Sequence, residues 1–285
     1  MTVDVVVVTF DSEATISECI ESVSHDPVVS SVVVVDNRSS DGSADRAEAL
    51  GAMVVRNTVN SGYGAGCNLG ARRGTADWIL LLNPDASMEP GSLRGMVRYA
   101  EGHDALAVVA SEVLGPTGHA EPVRRRFPTW WRAFAEPGLA ARWDERYYAR
   151  RQKDAGPVDW ASASTLLVRR RAFEDVDGFD EAFFLYAEEI DLCARLRRSG
   201  LAVHWVAGCP SRHAPGSSTG ALAAAGKVEW ARGFRRYVDK HARHKALIRA
   251  AVAAGLEARV LYWTARGDRQ AAKKWSAAVK AFRTS

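Results

Sequence analysis

Trp78-Ile79-Leu80-Leu81-Leu82-Asn83-Pro84-Asp85 decides the fold of this 285-residue chain. Five continuous apolar residues read as a strand buried on both faces, and Asn-Pro-Asp ends it with a turn and a carboxylate. The pattern recurs upstream. Val3–Thr9 is a second buried-type strand running into Phe10 and Asp11, and residues 31–36 form a third, running into Asn37-Arg38-Ser39-Ser40-Asp41-Gly42-Ser43. Helical spacing follows at 13–24 (apolar Ile16, Cys19, Ile20 and Val23), 43–50, 64–74 and 90–99, with one more short strand at 52–56. Apolar strands alternating with helices predict an α/β fold, a mostly parallel central sheet with helices on both faces. Ligands of such sheets sit beyond the carboxyl ends of the strands. Thr9-Phe10-Asp11, the cluster from Asp36 to Ser43, and Asn83-Pro84-Asp85 all fall there, which marks a site.

The second half is less regular. Strands are expected at 106–112, 159–169 and 201–206, with a short helix at 172–176. Residues 124–154 carry Trp130, Trp131, Trp143, Tyr147, Tyr148 and many arginines, and read as a lid, an acceptor-binding insert or a surface excursion. Beyond Ala221 the chain reads as helices, with apolar stripes at Val252, Leu256, Val260 and Trp263 and at Trp275, Val279 and Phe282. The expected division is 1–220 for the catalytic body, split into halves 1–105 and 106–220, and 221–285 for a helical extension.

Composition is that of a globular protein, 47% apolar and 25% charged. The start lacks the basic region of a signal peptide, and no window holds eighteen uninterrupted apolar residues, which argues against a membrane span. Cys19, Cys67, Cys193 and Cys209 form no CxxC pair and read as reduced thiols of a cytoplasmic protein. The net charge of +4 hides an asymmetry: residues 221–285 carry 15 Lys and Arg against 4 Asp and Glu, and the first 220 carry 23 against 30. A basic tail bearing aromatics is either a solvated helical face or a surface that meets anionic lipid phosphates.

The chemistry concentrates in Phe183-Phe184-Leu185-Tyr186-Ala187-Glu188-Glu189-Ile190-Asp191. Three carboxylates in four positions make no core, because buried acids need a metal, a base or donors. The residues up to Gly200 read as a helix, so these acids gather at its N-terminus, where negative charge is favoured. Asp36 and Asp85, closing two parallel strands, suit a nucleotide: one accepts from a base or ribose, the other holds Mg²⁺ or Mn²⁺ on a diphosphate. Asp41 reads as an N-cap or Asx-turn before the Ser43 helix. The run from Asn57 to Gly70 is glycine-rich but is neither a dinucleotide fingerprint nor a P-loop. Its Gly62, Gly64 and Gly66 permit close backbone approach, and Asn68 is offered to a polar ligand. His213 follows the 201–206 strand in a turn with Pro215, Gly216, Ser217 and Ser218.

Taken together these motifs resemble a family 2 glycosyltransferase of the GT-A fold, in particular the bacterial rhamnosyltransferase-like branch. The resembling segments are Val7-Val8-Thr9-Phe10, Val35 to Ser43, Asn60 to Asn68, Leu82-Asn83-Pro84-Asp85, and Phe179 to Arg195, in order over roughly residues 3 to 218. The resemblance implies an inverting, metal-dependent transfer of a sugar, rhamnose foremost, from a dTDP- or UDP-sugar to a hydroxyl of a glycan or polyprenyl-diphosphate-linked acceptor. It implies that Asp36 holds the base or ribose with Thr9, Phe10, Asp11, Asn37 and Ser39 around it. Asp85 would carry the Mg²⁺ or Mn²⁺, with His213 reaching the metal or the leaving phosphates. Glu189 falls where the family base lies, with Glu188 and Asp191 orienting donor, acceptor or helix and still open as alternatives. Trp160, in Asp159-Trp160-Ala161-Ser162-Ala163-Ser164-Thr165, resembles the segment lining the sugar and acceptor pocket. Two departures stand out: Asn83 where many members have a first aspartate, and Glu188-Glu189 where Glu-Asp is usual.

Three competing readings remain. A sugar nucleotidyltransferase would carry a Gly-rich loop with an activating Lys or Arg after the first strand, where this chain has Thr9-Phe10-Asp11-Ser12. A non-catalytic nucleotide-sugar or glycan-binding protein sits poorly with Asp36, Asp85, Glu189 and His213 all present. A nucleic-acid partner is disfavoured by the acidic body. The basic C-terminal helices are expected to touch the inner membrane face peripherally, to pack as plain helices or to form a homodimer contact.

Overall fold

The computed structural model of the protein describes residues 1–135, 140–151, 153–214 and 222–284. Its first half alternates as the apolar runs dictate: β1 (Val3–Thr9), α1 (Ile16–Ser24), β2 (Val29–Asp36), α2 (Ser43–Ala49), β3 (Met53–Arg56), α3 (Tyr63–Ala71) and β4 (Trp78–Leu82). Next come β5 (Ala86–Met88), α4 (Ser92–Glu101), β6 (Leu106–Leu114), β7 (Arg124–Arg125), α5 (Trp130–Ala135), α6 (Ala140–Ala149) and β8 (Ala155–Pro157). The rest of the body is β9 (Trp160–Ala161), β10 (Thr165–Arg169), α7 (Arg170–Asp175), α8 (Glu188–Arg198) and β11 (Ala202–His213). Three long helices close the chain: α9 (Leu222–His241), α10 (Lys245–Ala265) and α11 (Arg269–Thr284).

One large sheet runs β3-β2-β1-β4-β10-β6-β11-β5, with β8 pairing β11. β1 to β4 are parallel, β6 and β11 are parallel to each other, and β10, β5 and β8 run antiparallel to their neighbours. The mostly parallel sheet expected from the sequence is therefore present. Period-two alternation on β1 sends Val3, Val5 and Val7 to one face and Val6 and Val8 to the other. The first set packs with Ile16, Ile20, Leu93 and Met96 of α1 and α4, the second with α3, α8 and the C-terminal helices.

Several expectations are refined. The 159–169 strand divides into β9 and β10, separated by a turn. The described residues of the 124–154 stretch are built around two helices, α5 and α6, and one short strand, β7. Val252, Leu256 and Phe282 of the C-terminal stripes are buried in the same core as the sheet. The helical extension thus packs onto the body, while its expected boundary at 220/221 lies outside the described residues. Among the described residues no helix is long and apolar enough to cross a membrane, and all four cysteines are free thiols.

Candidate active site

Three strand ends and one helix start build the site. β1 and β2 finish side by side, Thr9 opposite Asp36, and Asn37 N–H donates to the Thr9 carbonyl at 2.8 Å. The chain then leaves both strands through left-handed residues, Asp11 at φ 51° and Arg38 at φ 66°. Asp11 Oδ1 accepts from Ser40 N–H and Oγ–H, and the Asp11 N–H donates to Ser39 Oγ at 3.0 Å. Among the described residues the Asp36 carboxylate accepts from Ser39 N–H alone, at 3.3 Å to each oxygen, which leaves lone pairs for a ligand. Thr9 Oγ1 is buried with no hydrogen-bond partner among the described residues. Asp41 makes the expected Asx-turn, accepting from Ser43 N at 3.0 Å.

The metal candidate comes from a strand that sequence reasoning missed. After Asn83-Pro84-Asp85 the chain turns back as β5 and pairs antiparallel with the end of β11, His213 opposite Ala86. That register brings His213 Nε2 to 3.4 Å from Asp85 Oδ1, and Glu121 lies 3.6 Å from His213 Nδ1. Burial pulls the His213 pKa down, but Asp85 and Glu121 outweigh it and hold the ring above its ordinary value. Among the described residues no three His, Cys, Asp or Glu side chains form a metal cage. A hard cation on a diphosphate needs no cage: one or two protein ligands suffice, with phosphate and water oxygens completing the shell. Asp85 and His213 fit that requirement. His213 ends β11 rather than following a strand that stops at 206, and the rest of its turn, 215–218, lies outside the described residues.

The acid pair opens α8 after two consecutive left-handed residues, Tyr186 at φ 68° and Ala187 at φ 70°. Such backbone costs on the order of 1–3 kcal/mol per residue and persists only where packing holds it. Here α3 braces it: Tyr63 N–H donates to Phe184 O at 3.0 Å, and a Cβ on Gly62 would stand 2.1 Å from that same oxygen. From the other side, a Cβ on Gly233 of α9 would stand 2.2 Å from the Tyr186 carbonyl oxygen.

Glu188 and Glu189 then diverge. Glu188 is buried, its Oε2 without a hydrogen-bond partner among the described residues, and burial followed by the neighbouring Glu189 charge pushes its pKa well up. Glu189 is partly exposed. Tyr186 joins the two halves of the site, because burial and then the charges of Glu188, Glu189 and Asp85 all raise its hydroxyl pKa.

Other expected site residues are engaged by the protein itself. Asp191 is fully buried and accepts from Arg195 Nε at 2.7 Å, Lys240 Nζ at 2.8 Å and His241 Nε2 at 2.5 Å. Asn68 accepts from Phe179 N–H and donates to Phe179 O and Glu181, so both ends of its amide are taken up. Gly64 serves packing, since a Cβ there would meet Phe179 at 3.0 Å. Asn37 donates to Gly62 O and accepts from Asn57, tying β2 to the glycine loop. Trp160 is buried, donates to Arg126 O and lies under the Arg125 guanidinium, which places it in the core rather than on an open sugar-facing surface. Phe10 is half-buried and Asn83 holds its turn through its backbone, accepting from Ala86 N–H. Lys240 and His241 were not singled out in the sequence: a Lys-His pair fifty residues beyond its partner carries no local signal.

Comparison with known proteins shows the family. The model of the family described as Glycosyl transferase family 2 matches residues 4–177. N-acetylglucosaminyl-diphospho-decaprenol L-rhamnosyltransferase of Mycobacterium tuberculosis is 31% identical over 209 residues, 67% of this chain and 68% of the relative. Rhamnosyltransferase WbbL of Escherichia coli K12 is 32% identical over 142 residues, 48% of this chain and 51% of that one. Among solved structures, the mannosyltransferase PcManGT from Pyrobaculum calidifontis, in complex with GDP-Man and Mn²⁺, superposes with a TM-score of 0.61 at 15% identity, covering 98% of this chain and 85% of that one.

Proposed function

The chain belongs to glycosyl transferase family 2, and we propose that it moves rhamnose from a dTDP- or UDP-sugar to a hydroxyl of a polyprenyl-diphosphate-linked or other glycan acceptor, with inversion. The observation that carries this reading is the placing of Asp36 and the Asp85–His213 pair at the carboxyl ends of parallel strands, with Tyr186 feeling the charges of Asp85 and of the acid pair together. The names of the two bacterial relatives support rhamnose as the sugar and, for one of them, a diphospho-decaprenol-linked acceptor.

In this reading Asp36 accepts from the base or ribose, its lone pairs being little used within the protein. Asp85 and His213 would hold Mg²⁺ or Mn²⁺, which would supply positive charge against the leaving diphosphate. Glu189 takes the proton from the acceptor hydroxyl as that oxygen attacks the anomeric carbon, and the carbon–phosphate-oxygen bond breaks on the opposite face. Glu188, buried behind it and inclined to keep its proton, shapes the pocket rather than competing as base. Asp191 positions α8 through its three donors.

Calorimetry with UDP, dTDP, GDP and ADP, each with and without Mn²⁺, tests the donor site on the wild type and Asp85→Ala. Metal-dependent binding of dTDP or UDP that Asp85→Ala abolishes is the expected result, and the preferred base narrows the donor. No binding of any nucleoside diphosphate overturns the assignment.

A further inference from the structure

A cavity lies against the C-terminal half of α8, where it meets the α9–α10 turn and the segment entering α5. Arg198 at its edge is nine residues beyond Glu189 on one helix, about 13 Å along the axis, so this cavity is separate from the acid pair. Its volume is about 530 Å³, within the usual range for small-molecule pockets. The lining divides by chemistry. Ala194, Val238 and Ile248 form an apolar floor, with the exposed Trp130 and Leu247 among the wall residues. Arg197, Arg198 and Arg243 supply guanidinium groups, and no carboxylate lines the cavity among the described residues. Arg197 donates to Val158 O and lies 3.8 Å from Asp159, whereas Arg198 and Arg243 have no ion-pair partner among the described residues.

One further atom points to an occupant. The His241 side chain lines this cavity and is 2% exposed, with Nε2 bonded to Asp191 and Nδ1 left without a hydrogen-bond partner among the described residues. A buried polar atom in that state costs about 1–3 kcal/mol, a penalty that a ligand oxygen or hydroxyl would remove. We propose that this cavity binds a phosphate-headed lipid, its phosphate held by Arg198 and Arg243 and its first apolar carbons on the Ala194–Val238–Ile248 floor. Guanidinium forks match phosphate oxygens in pairs, and the apolar floor discriminates against a bare anion. The site stands independently of the donor-site reading. Its occupant would touch the ring that holds Asp191, and through it the helix bearing the acid pair.

Calorimetry with water-soluble dihexanoylphosphatidic acid, dihexanoylphosphatidylcholine and inorganic phosphate tests this on the full chain, with two variants checked for folding by circular dichroism. Arg198→Ala/Arg243→Ala removes the charges, and Ala242→Leu narrows the cavity with the charges intact. The wild type is expected to bind the phosphatidic acid, and the double variant to bind it about 10- to 100-fold more weakly, the loss typical of charge-assisted hydrogen bonds. Ala242→Leu is expected to weaken it as well, and it carries the test if the double variant fails to fold. Absence of phosphatidic acid binding, or binding unchanged in the folded variants, overturns the proposal. Phosphatidylcholine matching phosphatidic acid overturns the role of the head group, and inorganic phosphate matching it reduces the cavity to an anion site without a lipid.

Discussion

Asp191→Asn separates a positioning residue from a reacting one. Burial alone would raise the Asp191 pKa, but His241, Lys240 and Arg195 bring it down from 3.8 to about 2. One pKa unit corresponds to about 1.4 kcal/mol, so the ionised form gains about 2 kcal/mol of folding free energy. The sign follows from the depressed value: the stabilisation is present above pH 3.8 and is lost as pH falls through about 2. Asparagine keeps the shape but removes the charge, leaving the donors of three basic side chains around a neutral amide. The total cost should reach about 3 kcal/mol, the low end for breaking a buried pair. At about 2–4 °C per kcal/mol for domains slightly smaller than this chain, melting should drop by about 6–12 °C at pH 7. Circular dichroism melts from pH 7 to pH 2.5 read both effects, and the gap between the two proteins should shrink at the acid end. Turnover measured at 20 °C, where both are folded, should fall by less than about tenfold, because the Asp191 carboxylate is already taken up by Arg195, Lys240 and His241. Equal melting at pH 7 would refute the electrostatic account. A loss near a thousandfold in a folded Asp191→Asn would return this residue to the reacting set.

Glu189→Gln should lower kcat by about 10²–10⁴-fold, the usual contribution of a general base, while leaving nucleotide affinity and melting near wild type; single-turnover transfer assays and calorimetry check the two halves. Gly233→Ala should melt at lower temperature although alanine is the better helix former by about 1 kcal/mol, since the new Cβ meets the Tyr186 carbonyl oxygen at 2.2 Å. Thermal melts decide its sign, and a stabilised Gly233→Ala would show that the contact relaxes freely.

The central strands were legible because continuous apolar runs have few alternatives: β1 and β4 lie where Val3–Thr9 and Trp78–Leu82 were read. β5 was not, since three residues, Ala86–Met88, carry no periodicity and exist as a strand only by pairing with β11. The end of β11 was hidden for a related reason. Its Gly208, Cys209, Pro210 and Ser211 read as a loop, and its register against β6 shifts between Trp205 and Pro210. Residue type at the site was readable, but direction was not. Asn68 and Trp160 have the chemistry of ligand-binding groups, yet their partners, Phe179 and Arg126, are distant in sequence and appear only once the sheet and helices have closed.

The apolar stripes of the basic extension suit a membrane, a second subunit or helix packing equally when read from the sequence alone. Burial of Val252, Leu256 and Phe282 assigns at least their faces to this chain's own interior. The reason reaches back to the acid pair. Tyr186 and Ala187 hold an unfavourable backbone at the entry to α8, and a strained turn of this kind survives only when packing over-determines it. α3 supplies one wall, through Gly62 and Tyr63 against Phe184. α9 supplies the other, with Gly233 against Tyr186 and with Lys240 and His241 gripping Asp191 one turn into the helix. Lys240 also binds Asp180 at 2.6 Å, so a single side chain clamps both ends of the segment that carries Glu188 and Glu189. The extension is therefore part of how the turn before the acid pair is held, and Lys240 and His241 at the end of α9 act on its geometry even though neither stands beside the acid pair in sequence.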